Sequence, residues 1–165
     1  MSSSQKPLYL LLISPHGLIR ASNLELGRDA DTGGQILYVV ELARALAQQP
    51  GVERLDLLTR RVVDSQVSAD YAKQTEPLDD GASIVRVVAG PDGYIRKEEL
   101  WDHLDSFADN ALQYLKDQER EPDIVHSHYA DAGYVGVRLA NLGGVPLVHT
   151  GHSLGRDKRK RLLAK

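Results

Sequence analysis

An open, largely parallel sheet with helices on both faces, the Rossmann-like doubly wound α/β class, is the fold this sequence predicts, and three observations predict it. Five short apolar runs, each bounded by turn residues, recur along the chain. Near-continuous apolarity of this kind marks strands covered on both faces. Helical periods lie between the runs, and strand–helix alternation favours a parallel sheet with crossover connections. Finally, the chain has 165 residues, enough for one domain with a real core and too few for two of ordinary size.

The elements follow in order. LYLLLIS (Leu8 to Ser14) is the first strand. It is too short to span a membrane. Only Lys6 precedes it and no small-residue cleavage site follows, so it reads as a buried strand, not a leader. Ile36, Val39, Val40, Ala43 and Leu46 then form one apolar helical stripe. LDLLT (Leu55 to Thr59) and SIVRVVA (Ser83 to Ala89) are the next strands. Between them Asp64 to Ala82 shows no clear stripe, which leaves an irregular crossing or a short helix open. Leu100, Leu104, Phe107, Ala111 and Leu115 make a second stripe, widened by Trp101 and Ala108. DIVHS (Asp123 to Ser127) is the fourth strand. A third helix runs from Asp131, an N-cap type, to Leu142, where Gly143-Gly144 stops it. PLVHT (Pro146 to Thr150) is the fifth strand, and GRDKRKRLLAK at the end reads as a solvated helix face.

Composition narrows the function. Hydrophobic residues make up 42% and charged residues 26%, a globular balance. The net charge of −3 advertises no basic surface for nucleic acid. Cysteine is absent, which excludes disulfides and thiolate metal sites and permits a reducing compartment. A cytoplasmic protein is expected.

In sheets of this class ligands bind outside the carboxyl ends of the strands. The unusual residues of this chain cluster there: Pro15-His16-Gly17 after the first strand, GPDGYIRK (Gly90 to Lys97) after the third, HSHYAD (His126 to Asp131) after the fourth and TGHSLG (Thr150 to Gly155) after the fifth. Gly33-Gly34-Gln35 stands at the amino end of the first helix. A capping box, Thr32-x-x-Gln35, would explain the threonine and the glutamine but leave both glycines as a cost of about 1 kcal/mol for any that is helical. Backbone amides free of side chains at a helix start would instead let an anion or sugar hydroxyls approach closely. Neither G-x-G-x-x-G nor G-x-x-x-x-G-K-[ST] is present.

His126 and His128 alternate onto one side of a strand, with Asp131 following, which invites a metal-dependent hydrolase. That reading needs His16, His149 and His152 to converge with them. His152, between Gly151 and Ser153, sits in a turn that would present its side chain. Lys97 is either a phosphate clamp or a solvated partner of Glu98 and Glu99, the latter worth little.

Taken together, GRDADTGGQILYVVELARALA, LDLLTRR, IRKEELW, HSHYADAG and TGHSLGRDK resemble the sucrose-phosphate synthase family, in the family's order and over nearly the whole chain. The D-x-G-G-Q phrase is shared with sucrose synthases; the last two segments are more specific. The resemblance implies a two-lobed GT-B glycosyltransferase of which residues 1–165 are a partial acceptor-side lobe, the donor-binding lobe lying outside this chain. It implies retaining transfer of glucose from UDP-glucose to fructose 6-phosphate, giving sucrose 6-phosphate and UDP. By the same resemblance Gly33, Gly34 and Gln35 border the acceptor and the donor's phosphates, and Lys97 holds the acceptor phosphate. Tyr129 lines the acceptor, and His152 is the catalytic residue beside the transferred glucose. Arg96 stands where the family often has proline. Neither a metal nor a tightly bound cofactor is implied; Mg2+ is permitted and not required. The implied partners are the two substrates and the second lobe, with no nucleic acid or membrane. Sucrose synthase using free fructose, the hydrolase built on His126, His128 and Asp131, and a non-catalytic sugar-phosphate binding module are the alternatives.

Overall fold

The computed structural model describes residues 6–153 and 155–164. Six strands form one sheet in the order β3-β4-β2-β1-β5-β6. They are β1 (Leu8–Ile13), β2 (Val52–Arg60), β3 (Thr75–Asp79), β4 (Ala82–Val87), β5 (Ile124–His128) and β6 (Leu147–Thr150). All pairings are parallel except β3 with β4. The helices are α1 (Gly34–Ala47), α2 (Lys97–Leu100), α3 (Leu104–Lys116), α4 (Tyr129–Gly143) and α5 (Gly155–Leu163). All five expected strands are present.

Strand alternation divides the core into two layers. Leu11 and Ile13 of β1 face α3 and α4, packing with Phe107, Ala111, Val135 and Leu139. Leu10 and Leu12 point the other way, onto Ile36, Val39, Val40 and Ala43 of α1. Successive residues of a strand face opposite sides of its sheet, so one apolar strand feeds both layers.

The segment between β2 and β4 contains more than was legible. After a short 3₁₀ turn (Ala69–Ala72), capped by Ser68 Oγ accepting from the amide of Asp70 at 3.2 Å, the chain forms the edge strand β3. Asp80-Gly81 then turns it into β4. Gly81 has φ +70, and a Cβ there would meet the Glu53 carbonyl oxygen at 2.8 Å, so this turn requires glycine. Pro77 is tolerated because β3 lies at the sheet's edge.

Three local expectations are corrected. The expected single helix through Leu100 to Leu115 is broken into α2, a 3₁₀ turn at Trp101–His103, and α3. The break turns Trp101 outward to 47% exposure, so it does not widen the buried stripe, whereas Ala108 does. The third helix starts at Tyr129, not Asp131; Asp131 lies buried in its first turn and its cap is His128. The other end holds as read, with Gly144 left-handed at φ 63. Thr32 is not a helix cap either: Gly33 is, without a side-chain bond.

The chain runs from β1 to one side of the sheet and later returns to β5 on the other, so the strand order reverses between β1 and β5. The carboxyl ends of these two strands flank the crevice where this class binds ligands.

Candidate active site

A cleft of about 290 Å³ opens at that reversal point, lined by His16, Asp31, Gly33, Gly34, Gln35, Lys97, Tyr129, His152 and Ser153 with Ala30. Every residue expected at the site borders it. A second basin, about 660 Å³, adjoins it through Asp31 and Lys97 and extends over Tyr94 and Arg96.

The wall at α1 is backbone. A Cβ added at Gly33 or Gly34 would meet nothing within 4 Å, and neither glycine lies in the left-handed region. Gly17 makes the contrast: φ is +78, and a Cβ would strike the Asp31 carbonyl oxygen at 2.6 Å. Packing requires glycine at Gly17 and does not require it at Gly33 or Gly34, which leaves access to the helix's amino end as their use. Gln35 beside them has a buried Nε2 without a hydrogen-bond partner.

The preceding acidic run is an internal brace. Asp29 Oδ1 accepts from the amides of Asp31 and Thr32, at 2.8 and 2.9 Å, and from the Tyr94 hydroxyl at 2.8 Å. Thr32 Oγ1 donates to Asp29 and accepts from the amide of Leu18 at 3.2 Å, so it is not available to cap the helix. Arg60, buried at the end of β2, donates to the carbonyls of Ala89 at 2.7 Å and Gly93 at 2.9 Å, fixing the opposite loop.

Lys97 bridges the two loops. Its ammonium pairs with Asp31, and its amide donates to the other Asp31 oxygen at 2.9 Å. Glu98 stands 3.5 Å away. The partner is therefore a buried aspartate from the β1–α1 loop more than the neighbouring glutamates. Burial works against the charge, but the hydrogen bond and field of Asp31 outweigh it and hold Lys97 above the ordinary lysine range. An ammonium has three protons, so pairing with Asp31 does not exhaust it.

Tyr129 and His152 face the cleft with left-handed backbones, φ 77 and φ 55. Such conformations cost about 1–2 kcal/mol in non-glycine residues. Two of the three such residues among the described ones border this cleft, as strain held at functional sites would.

The histidines divide. His126 and His128 share one face, ring centroids 4.1 Å apart, confirming their alternation. His128 Nδ1 lies 3.1 Å from His152 Nε2, and His126 Nε2 lies 2.8 Å from Thr150 Oγ1. His149 turns to the other face, against Gly133 of α4, with its Nδ1 2.8 Å from Ser127 Oγ. Asp131 turns to His16 instead. Among the described residues no group of three or more histidine, aspartate or glutamate side chains is placed to hold a metal ion. The convergence that the hydrolase reading needs is not formed. Burial, then the neighbouring histidines, lowers the pKa of His128 to about 3.

Sequence reasoning missed Asp31, and weighed His16 only as a metal ligand. The acidic run GRDADT was the visible signal for Asp31.

The reversal-point cleft thus brings together bare helix amides and an ion-paired lysine. Residues 32–165 match Glycosyltransferase Family 4, and the chain belongs to that family. It is 45% identical to the probable sucrose-phosphate synthase 1 of Oryza sativa subsp. indica over 186 residues, covering 98% of this chain and 17% of that protein. The probable sucrose-phosphate synthase of Beta vulgaris is 48% identical over 189 residues, covering 96% of this chain and 18% of that one. The solved sucrose-phosphate synthase of Thermosynechococcus elongatus superposes with a TM-score of 0.76 at 29% identity, over 93% of this chain and 35% of its own. The chain thus spans about a sixth of the length of the plant relatives it matches.

Proposed function

We propose that this chain is the acceptor-side part of a sucrose-phosphate synthase, which transfers glucose from UDP-glucose to fructose 6-phosphate with retention. One observation carries the reading: Gly33, Gly34, Gln35, Lys97, Tyr129 and His152, far apart in sequence, line a single cleft at the sheet's reversal point. The similarity to sucrose-phosphate synthases supports it.

The chemistry asked of this lobe is positioning. The departing UDP develops negative charge, which amides and cations must meet in a fixed arrangement. The open helix start at Gly34 supplies amides; a donor-binding lobe in the remaining length supplies the main cationic clamp. The acceptor attacks from the side the nucleotide leaves, and the departing phosphate oxygen takes the acceptor's proton. That route uses no protein nucleophile and no tightly bound cofactor, and Mg2+ is not needed for it. Lys97 meets the acceptor phosphate, Tyr129 lines the acceptor and His152 the transferred glucose. Holding the reactants in this geometry replaces a bimolecular encounter. No helix among the described residues is long and apolar enough to cross a membrane. A cytoplasmic setting is a separate part of the proposal, suited to a chain whose sequence permits a reducing compartment.

Turnover tests the reading. Residues 1–165 with UDP-glucose and fructose 6-phosphate should release no UDP, because one lobe cannot close a cleft around the donor. Joined to a donor-binding lobe, the chain should release UDP with fructose 6-phosphate and not with fructose. Sustained release by the 165-residue chain alone would overturn the two-lobe arrangement. Equal use of fructose would point to a sucrose synthase.

A further inference from the structure

His16 and Asp131 form a pair that none of the roles above uses. His16 Nδ1 lies 2.6 Å from Asp131 Oδ2, and the side chains are 4% and 0% exposed. The two residues are 115 positions apart, one on the loop after β1 and one in the first turn of α4. The other carboxylate oxygen of Asp131 accepts from the amide of Ala132 at 2.7 Å. A helix's amino end favours a negative charge there. A carboxylate only accepts, so Nδ1 carries a proton, and in the neutral form of the ring Nε2 is then the acceptor. The ring sits edge-on to Tyr129, centroids 5.0 Å apart at 75°, and borders the cleft.

We infer that His16 is a further substrate-binding residue of this cleft, its Nε2 accepting a hydrogen bond from a sugar hydroxyl, with Asp131 as the positioning residue that fixes its tautomer. The inference rests on the proposed acceptor site and adds the group that reads the sugar as distinct from its phosphate. Gly33, Gly34 and Lys97 offer donors, which suit an anion. A hydroxyl needs somewhere to place its own proton, and the ring nitrogen opposite Asp131 provides that. A purely structural tie between the loop and α4 would hold the ring equally well, but it would not respond to ligand.

Imidazole ¹⁵N spectra of the 165-residue chain distinguish the two. Without ligand, His16 should show the Nδ1–H tautomer. Fructose 6-phosphate in excess should shift its Nε2 resonance, while inorganic phosphate should move the amides of Gly33, Gly34 and Gln35 and leave Nε2 in place. His16→Gln should weaken fructose 6-phosphate binding about tenfold, the scale of one hydrogen bond, without altering the phosphate response. Movement of those amides by fructose 6-phosphate with Nε2 unmoved overturns the inference and leaves the acceptor site standing. An equal Nε2 shift with phosphate alone also overturns it. No shift anywhere in the cleft overturns the acceptor site and the inference together. The wild-type spectra decide even if His16→Gln fails to fold.

Discussion

The two ends of the sheet treat their polar groups in opposite ways. Between its middle and its amino edge, Asp56 Oδ2 accepts from the Tyr9 hydroxyl at 2.6 Å, the Tyr114 hydroxyl at 2.8 Å and Arg54 at 2.8 Å. The groove at that edge, about 260 Å³, is lined by such residues as Leu115, Pro122, Val125, Leu139 and Val145. At the carboxyl edge, Ser14 Oγ, Gln35 Nε2, Thr59 Oγ1 and His128 Nε2 are buried without partners. Tyr129 and His152 hold left-handed backbones there. Buried polar groups ordinarily find partners, and the exceptions need a reason. At the amino edge the polar groups named here are paired with one another, and Arg120 Nε is the exception there among the described residues. At the carboxyl edge more such atoms lie together, beside the cleft.

The sharpest way to break this contrast is to damage each edge and ask what is lost. Asp56→Ala strips three donors of their common acceptor, leaving the Tyr9 hydroxyl in the core without it. Stability should fall by about 3 kcal/mol, read by denaturant unfolding. Fructose 6-phosphate binding by the folded fraction should not change. A binding loss comparable to the stability loss would show that the two edges are not independent.

Gly34→Val is the mirror experiment. The new side chain meets open space in the free protein and lies at the start of α1, so stability should move by less than about 1 kcal/mol. Binding should fall at least about tenfold, because the branched side chain fills the approach to the amides. Thermal unfolding and titration on one preparation compare the two. A variant that does not fold would mean that Gly34 serves backbone geometry, and the access argument would fail.

Lys97→Ala sharpens the comparison within the carboxyl edge. Charge-assisted contacts contribute about 1.5–3 kcal/mol, so use of fructose 6-phosphate should weaken about tenfold or more in an enzyme completed by a donor lobe. Affinity for UDP-glucose should barely change. The variant also leaves Asp31 buried with only the Lys97 amide of the two Lys97 contacts, so some stability goes with it. Equal losses for donor and acceptor, measured by varying each in turn, would remove the phosphate-holding role.

What was legible follows from the range of the forces involved. The inner parallel strands announced themselves because burial on both faces makes them nearly continuous apolar runs. So did β6, which is apolar in sequence without that burial, being an edge strand with Val148 47% exposed. β3 did not, since TEPLD at a sheet edge is half polar and contains Pro77; the Asp80-Gly81 pair was its available trace. The cleft's glycines were legible because a helix start has local rules that they break. His16–Asp131 and Asp31–Lys97 were not, because they join residues 115 and 66 positions apart. No periodicity records such a pairing. Trp101 was misplaced because an unbroken helical period in the sequence gave no sign of the 3₁₀ turn that rotates it outward.

The smallest expected effect concerns the histidines behind the cleft. His128 is fully buried among His126, His152 and Tyr38, and burial first, then the neighbouring rings, holds its pKa near 3. In the unfolded chain it titrates near the ordinary value of about 6.5. Between those values the unfolded state binds the extra proton, so stability rises with pH and is lost as pH falls from 6.5 towards 3. His126 and His152 are lowered in the same direction, each chiefly by burial. From pH 6.5 to 5.5 the His128 contribution alone should remove about 1 kcal/mol. His128→Gln should abolish that part of the slope while leaving Asp56 and its partners untouched. Unfolding curves for both proteins across this range provide the measurement. An unchanged slope in the variant would mean that His128 already carries its proton when folded, and that the unpartnered Nε2 has found a partner after all.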